Sequence, residues 1–273
     1  MIKILFDFIV FPGFLFTAFV GLLVSWIDRK VTARVQWRVG PPILQPLYDF
    51  VKLLGKETIV PQGGSKLTFL LSPLLGLTAV TIVSTILWLV MISPGKTFLG
   101  DLIVVIYLLT IPSISIILGG FASGNPLASL GASREMKMIL AYELPFILAI
   151  FTPVIQAHGV IRLGDLLQYQ WAKGISLGSW SGFIAFIVAI ICMQAKLALV
   201  PFDIPEAETE IIAGPYIEYS GAPLAVYKLT RWMMLFVVPV FLVLTFMGGI
   251  IFEGWHILWG ISKYVLLLVL IIL

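Results

Sequence analysis

The residue types that could do chemistry are concentrated in residues 201–221, which read PFDIPEAETEIIAGPYIEYSG. This acidic stretch holds five of the chain's 14 acidic residues, namely Asp203, Glu206, Glu208, Glu210 and Glu218. Grouped carboxylates can take up protons and pass them on. They can equally form a solvated loop with no such role, so the function of the stretch depends on where the rest of the chain places it.

Local signals predict that the acidic stretch is a series of turns and short helical pieces, because its three prolines interrupt any long helix. Within a helical piece Glu206 and Glu210 would share one face, since residues four apart are neighbours on a helix. Apolar residues such as Ile204 and Ile211 alternate with the acids, and a purely solvated loop does not need them. The pattern favours a stretch packed under the membrane-facing side of a partner.

The remainder of the chain is strongly apolar, with 60% hydrophobic and 11% charged residues, whereas soluble domains carry about 25% charged residues. Apolar runs near 20 residues predict an all-α integral membrane protein, a single polytopic domain over residues 1–273. We expect seven or eight transmembrane helices and one amphipathic surface helix. Seven expected spans cover residues 8–27, 67–92, 102–121, 136–155, 182–200, 223–247 and 257–273.

Residues 28–66 form the longest polar segment, and we interpret it as a basic loop. The positive-inside rule places such a segment in the cytoplasm, which puts the N-terminus outside and the acidic stretch at residues 201–221 on the cytoplasmic side. Apolar residues at helical spacing predict an amphipathic helix over residues 45–56, on the membrane surface or under a partner. The basic residues of the loop are Arg29, Lys30, Arg34, Arg38, Lys52, Lys56 and Lys66.

Among the ionisable side chains inside predicted spans, four are candidates for a function: Glu143, Lys196, Lys228 and Arg231. Such a group costs about 2.5–3.5 kcal/mol or more at the bilayer centre, so it usually faces the protein interior and serves a function. Glu143 is therefore a candidate proton carrier. The alternative is a structural carboxylate that pairs with Lys196 or Arg231 and holds the bundle together.

Other classes of site have little support in the sequence. The single cysteine, Cys192, excludes an intrachain disulfide and a cysteine-ligated cluster held by this chain alone. His158 and His256 lack metal-ligand spacing, so we predict no metal site and no catalytic residue. The small net charge of +3 does not indicate a nucleic-acid partner.

Three segments carry a family resemblance. The first is VPFDIPEAETEIIAGPYIEYSG; the second begins at Asp28-Arg29-Lys30, continues through Arg38-Val39-Gly40-Pro41 and ends at Leu44-Gln45-Pro46; the third combines Arg134 with Ala141-Tyr142-Glu143. In this order they resemble the family of membrane subunits that join the two arms of respiratory complex I, the NADH:quinone oxidoreductase. In character the chain is most similar to the equivalent subunit of energy-converting membrane-bound NiFe hydrogenases.

Departures from the complex I pattern favour the hydrogenase-type branch. In complex I several residues separate the Gly-Pro of the basic run from Leu-Gln-Pro, and that loop borders the quinone cavity. Here Gly40-Pro41-Pro42 leads almost directly into Leu44, which weakens the case for a quinone site. Two family acids align with Lys196 and Arg231, so the complex I proton path cannot apply unchanged.

The resemblance implies a non-catalytic coupling subunit in a prokaryotic cell membrane. No cofactor is expected in this chain. Implied partners are an iron–sulfur small subunit with 4Fe-4S clusters, a hydrogenase-like large subunit with a NiFe centre, and antiporter-like membrane subunits. Expected proton-relay residues are Glu143, Asp203, Glu206, Glu208, Glu210 and Glu218; compensating charges are Lys196, Lys228 and Arg231; residues that dock the peripheral arm are Arg29, Lys30, Arg34, Arg38, Asp49 and Arg134.

Four alternative functions stay open from the sequence. They are a quinone-binding subunit of an NADH- or ferredoxin-quinone oxidoreductase, the equivalent subunit of a sulfur-reducing relative, a stand-alone ion transporter, and a purely structural anchor. An inverted-repeat transporter is disfavoured because the sequence shows no internal repeat.

Overall fold

The computed structural model of the protein describes residues 2–252 and 254–273, and the regular elements in these residues are helical. Four short 3-10 turns lie at residues 94–96, 176–178, 204–206 and 214–216. The α-helices are α1 (Ile2–Ile9), α2 (Phe14–Val35), α3 (Gln45–Leu54), α4 (Lys66–Ile92), α5 (Asp101–Leu108), α6 (Ile111–Ala122), α7 (Pro126–Gln156), α8 (Leu163–Lys173), α9 (Trp180–Lys196), α10 (Glu208–Ile211), α11 (Gly221–Met247) and α12 (His256–Ile272).

Five helical segments are long and apolar enough to cross a membrane, which confirms an all-helical membrane protein. A helix rises 1.5 Å per residue, so about 20 residues span the hydrocarbon layer. Helices α9 and α12 are apolar but have 17 residues each, and the total of seven spans stays a prediction. The five segments are Lys3–Val35, Lys66–Ile92, Asp101–Ala122, Pro126–Gln156 and Gly221–Met247.

Helix α11 forms the centre of the bundle. In its most apolar 18-residue window, 94% of the residues are buried, and the helix packs against α2, α4, α3, α12, α8 and α9. Small residues allow close helix contacts. A Cβ atom at Gly21 of α2 would lie 2.9 Å from the Trp232 carbonyl oxygen of α11. Small residues at such positions are typical of membrane helix interfaces, where packing rather than water exclusion drives association.

The largest differences from the predicted span boundaries occur at three places. The fourth span begins at Pro126 rather than at residue 136, because Asn125 caps α7 by accepting a hydrogen bond from Leu127 N at 2.8 Å. Helix α2 continues to Val35, so residues 28–35 of the basic loop are helical. The third span is divided into α5 and α6, which begins at Ile111 just before Pro112. The helix predicted over residues 45–56 is present as α3, which ends at Leu54.

The acidic stretch packs at one end of the bundle, which we call the acidic end. The starts of α4 and α11 and the end of α6 meet there: Ser65 N donates to the Ala122 carbonyl at 3.1 Å, and Ser220 Oγ donates to the Glu57 carbonyl at 3.1 Å. The opposite end holds α8, whose Trp171 Nε1 donates to the Gly248 carbonyl at 2.9 Å. The basic loop and the acidic stretch therefore lie at the same end, as the sequence predicted.

Substitution of Gly131 tests the close contact between α7 and the acidic stretch. A Cβ atom there would lie 2.6 Å from Pro215 Cδ and 2.9 Å from the Gly214 carbonyl carbon. Alanine gains about 0.5–1 kcal/mol of helix preference, but overpacking costs about 1–3 kcal/mol, and here backbone must move. We expect Gly131→Ala to lower the melting temperature of the detergent-solubilised protein.

The matched control is Gly95→Ala, because a Cβ atom at Gly95 meets no atom within 4 Å. Equal melting temperatures for the two variants would contradict the packing of Gly131 against the acidic stretch.

Candidate functional site

The acidic stretch forms three short pieces, as its prolines predicted. A 3-10 turn at Ile204–Glu206 is followed by the single-turn helix α10 and a second 3-10 turn at Gly214–Tyr216. Glu206 and Glu210 therefore do not share one helix face. They lie on separate pieces and pair with different arginines, which corrects the expectation of a shared face.

An ion pair between Arg231 and Glu206 ties the acidic stretch to the central helix. Arg231 lies on α11, and its Nη1 atom donates to Glu206 Oε2. Its Nη2 atom donates to the Ala198 carbonyl at 3.0 Å, just beyond the end of α9. One guanidinium thus fixes three chain segments, because its planar fork supplies several donors in fixed directions.

Arg134 and Asn125 make three further contacts that fasten the stretch to α7 and its N-terminal cap. Arg134 Nη1 donates to Glu210 Oε2 at 2.6 Å and to the Ile204 carbonyl at 3.2 Å. Glu218 Oε1 accepts from Asn125 Nδ2 at 2.6 Å. Since each contact joins residues far apart in sequence, the acidic stretch is a docked part of the bundle rather than a free loop.

Buried tyrosines anchor the end of the stretch. The Tyr219 ring stacks on Phe69 of α4 with ring centroids 4.0 Å apart, and its hydroxyl donates to the Phe69 carbonyl at 3.0 Å. Tyr227 of α11 donates to Ser72 Oγ at 3.0 Å. Burial raises the pKa of Tyr219, and burial followed by the nearby Glu206 carboxylate raises the pKa of Tyr216 well above its ordinary value. Both hydroxyls therefore stay neutral at physiological pH.

A second ion pair lies deeper in the bundle. Lys196, the last residue of α9, donates from Nζ to Glu143 Oε2 of α7 at 3.0 Å. The lysine side chain is fully buried, with Nζ 5.2 Å from the Tyr142 ring centre and 5.1 Å from that of Phe146. Glu143 Oε1 is buried and has no hydrogen-bond partner among the described residues. Of the two basic partners considered for Glu143, Lys196 is the one in contact.

Three cavities meet at the Glu206–Arg231 pair. The first has a volume of about 370 Å³ and also contains Tyr216, Tyr219 and Lys228 in its wall. The second, of about 40 Å³, reaches inward to Lys196. The third, of about 560 Å³, faces Asp28, Asp203 and Glu208 among others. A change in this one ion pair therefore affects the walls of all three cavities.

The remaining predicted residues also lie at or near the acidic end. Lys228 and Glu208 are exposed at cavity walls, and Asp203 is half-buried. Arg34 and Arg38 are exposed at and beyond the end of α2, whereas Lys30 is half-buried. Arg29 Nη1 donates to Asp49 Oδ2 at 2.7 Å, and its guanidinium carbon lies 5.8 Å from the Trp232 ring centre.

Sequence reasoning misses two carboxylates at this site. Glu135 of α7 is 7% exposed and lines the 40 Å³ cavity, and Asp28 of α2 lines the 560 Å³ cavity. The sequence prediction places both outside the spans, because the predicted spans begin too late or end too early. The cap signal Asn125-Pro126 could have revealed Glu135, since it places the start of α7 well before that residue.

The fold and the site together define a polytopic membrane subunit with paired charges that lead inward from one end. Within the described residues, no group of three or more His, Cys, Asp or Glu side chains could hold a metal ion. Over residues 8–273 the chain matches the NADH dehydrogenase family. The chain belongs to this family, which confirms the resemblance drawn from its three motifs.

Two similar proteins illustrate the family. A subunit of the NADH-quinone oxidoreductase of Thermomicrobium roseum is 35% identical over 265 residues, covering 86% of this chain and 76% of the relative. A chain in the structure of the membrane-bound sulfane sulfur reductase, described as an archaeal respiratory membrane complex, has a TM-score of 0.83 and 28% identity. That match covers all of this chain and 89% of the other.

Loss of Lys196 tests the buried ion pair. Lys196→Met leaves Glu143 without its partner, and breaking a buried pair costs about 3–5 kcal/mol because one charge stays uncompensated. We expect a lower melting temperature in detergent, with recovery in Glu143→Gln/Lys196→Met, which removes both charges. Lys137→Met, which replaces an exposed lysine on α7, is the control. If Lys196→Met were as stable as this control, the Glu143–Lys196 ion pair would be refuted.

The Arg29–Asp49 contact predicts that the stability of the fold depends on pH. Burial opposes ionisation of Asp49, but hydrogen bonds from Arg29 and Gln45 outweigh it and lower its pKa below 3.8. A carboxyl group whose pKa is lowered by folding stabilises the folded state at pH values above its ordinary pKa. This stabilisation disappears as the pH falls through the folded-state pKa. The melting-temperature gap between wild type and Asp49→Asn should be constant above about pH 5 and shrink below about pH 4. A gap independent of pH would argue against the contact.

Proposed function

We propose that this chain is the coupling subunit of a hydrogenase-type respiratory membrane complex. In this role it docks an iron–sulfur and catalytic arm at the acidic end and links electron transfer to the translocation of protons or sodium ions. The observation that carries the proposal is the succession of paired charges from the acidic stretch into the bundle, Glu206–Arg231 and then Glu143–Lys196. Paired ionisable groups inside a membrane mark ion or proton pathways.

The proposed mechanism is electrostatic. Reduction and proton uptake in a docked subunit change the charge next to the acidic stretch, where Asp203 and Glu208 face the 560 Å³ cavity. Glu206 responds because it lies in the wall of the same cavity, where Arg231 is the side chain that holds it. When Glu206 gains a proton, Arg231 loses its countercharge and favours a new arrangement of the ion pairs. Glu143 and Lys196 transmit this change into the bilayer region.

Exposed cations support docking of a peripheral arm at the acidic end. Arg34 and Arg38 are exposed beside Trp37, whose side chain is 98% exposed. Arginine and tryptophan are enriched among residues that dominate binding at protein interfaces. Arg134 and Asp49 serve docking indirectly, since each already holds a local structure: Arg134 fixes Glu210, and Asp49 holds Arg29.

Two other functions have specific support. The TM-score of 0.83 to a chain of the sulfane sulfur reductase complex favours the equivalent subunit of a sulfur-reducing complex. The 370 Å³ cavity, with three tyrosines in its wall, and the 35% identity to a quinone oxidoreductase subunit favour quinone binding. In both alternatives this chain keeps the coupling role, and only the electron acceptor of the complex differs.

The composition of the purified complex distinguishes these acceptors. Affinity purification through this chain, followed by metal analysis and mass spectrometry, should recover iron–sulfur and catalytic subunits. Nickel together with iron supports the hydrogenase type, and iron without nickel supports the sulfur-reducing type. Bound quinone without nickel would overturn the hydrogenase assignment.

Glutamine variants test the coupling role. In the intact complex reconstituted in vesicles, Glu143→Gln and Glu218→Gln should each lower the number of ions moved per electron transferred, because a neutral amide cannot carry a proton. The control is Asp165→Asn on α8, which replaces an exposed acid at the opposite end. An unchanged ratio in both glutamine variants would overturn the coupling role.

A further inference from the structure

Glu135 is a buried carboxylate that the residues assigned above do not include. It follows Arg134 on α7, but the two side chains have different surroundings. Arg134 reaches the acidic stretch and pairs with Glu210, whereas Glu135 is 7% exposed and faces the bundle interior. A carboxylate buried in a spanning helix is costly, so its presence calls for a partner or a function.

The cavity beside Glu135 can hold water. Its volume of about 40 Å³ leaves room for roughly two or three molecules, since one water needs about 10–15 Å³ of such space. Its wall includes Lys196 from the inner ion pair and both Glu206 and Arg231 from the outer pair. Tyr216, Tyr227, Ser113 and Thr230 add hydroxyl groups. Polar walls of this kind provide the hydrogen bonds that buried water requires.

Hydroxyl groups also extend from this cavity toward Glu143. Ser113 Oγ lies 3.3 Å from Tyr142 OH, within hydrogen-bond distance. Tyr142 is seven residues after Glu135, so it lies on nearly the same face of α7 and about 10 Å further along the axis. The Tyr142 ring in turn lies next to Lys196 Nζ, which holds Glu143. The polar groups are thus joined by a hydrogen bond between Ser113 and Tyr142 and by a cation–π contact between Tyr142 and Lys196.

We propose that Glu135 carries protons between the Glu206–Arg231 pair and the Glu143–Lys196 pair, an inference that rests on the proposed coupling function. In the first step protonated Glu206 releases its proton to cavity water, which gives a proton to the Glu135 carboxylate. In the second step the Lys196 ammonium gives a proton to Glu143. The resulting neutral amine then takes a proton from Glu135. One proton has then moved from Glu206 to Glu143, and Glu135 and Lys196 have regained their starting states.

Arg231 controls the first step in this scheme. While Glu206 is ionised, Arg231 holds it in the outer pair. Protonation of Glu206 removes the charge attraction, so the neutral carboxyl can turn toward the cavity that Glu135 lines. After it has released the proton, the Glu206 carboxylate returns to Arg231 and the outer ion pair forms again.

The test compares Glu135→Gln, Glu135→Asp and the control Asp165→Asn in the intact complex reconstituted in vesicles. Since a positioned proton carrier contributes about 100-fold or more to a transfer step, we expect Glu135→Gln to lower the protons moved per electron by roughly tenfold or more. Glu135→Asp retains an acid and should restore most of this ratio. Infrared difference spectra on reduction of the complex should show a protonated carboxyl band that Glu135→Gln removes and Glu135→Asp shifts.

The outcomes separate this inference from the proposed function. A low ratio in Glu143→Gln with a normal ratio in Glu135→Gln would overturn the role of Glu135 and leave the coupling function standing. Normal ratios in both variants would overturn both proposals. If Glu135→Gln fails to assemble, the Asp variant decides: a shifted carboxyl band supports the proton carrier, and an unshifted spectrum overturns it.

Discussion

Arg231 connects the acidic stretch, the end of α9 and the central helix, and the geometry of the acidic end depends on this connection. Its guanidinium donates to Glu206 and to the Ala198 carbonyl from a position on α11. Helix α11 packs against most other long helices, so Arg231 anchors the acidic stretch to the centre of the bundle. The same pair lies in the walls of three cavities, so structural support and access to the interior depend on one charge interaction.

Stability alone does not explain why the two ion pairs exist. Removing two charges from water costs several kcal/mol per ion, and well-packed apolar residues of similar volume are often neutral or more stabilising. Lys196 is fully buried and Glu143 mostly so, so stability alone gives little reason to keep charges there rather than an apolar pair. The pairs have a property that apolar residues lack, since each can change its charge state. This argument favours a role in moving charge over a role as a structural anchor.

The sequence predicted much of this arrangement. Its strongest signals are the long apolar runs and the free-energy cost of placing charged side chains inside a membrane. Long apolar runs specify spanning helices, and the high cost of burying Glu143, Lys196 and Arg231 indicates inward-facing sites. Partners cannot be assigned in this way. From the sequence, Lys196 and Arg231 are both potential partners of Glu143, and the choice depends on how α7 packs against α9 and α11. Glu135 escapes prediction for a related reason: the polar start of α7 resembles a loop, and burial there arises only when the acidic stretch covers it.

The position of Glu135 also changes how the two base-for-acid differences from complex I are understood. If Lys196 and Arg231 replaced proton carriers without compensation, the path from the acidic stretch to Glu143 would be broken. In this structure each base neutralises one remaining acid, and Glu135 lies in the small cavity between the two pairs. On the path that we propose, the number of acids is thereby partly restored, on a different helix. Alternation of paired and unpaired acids suits stepwise transfer, because a proton entering one pair weakens it and lowers the barrier to passing the proton onward.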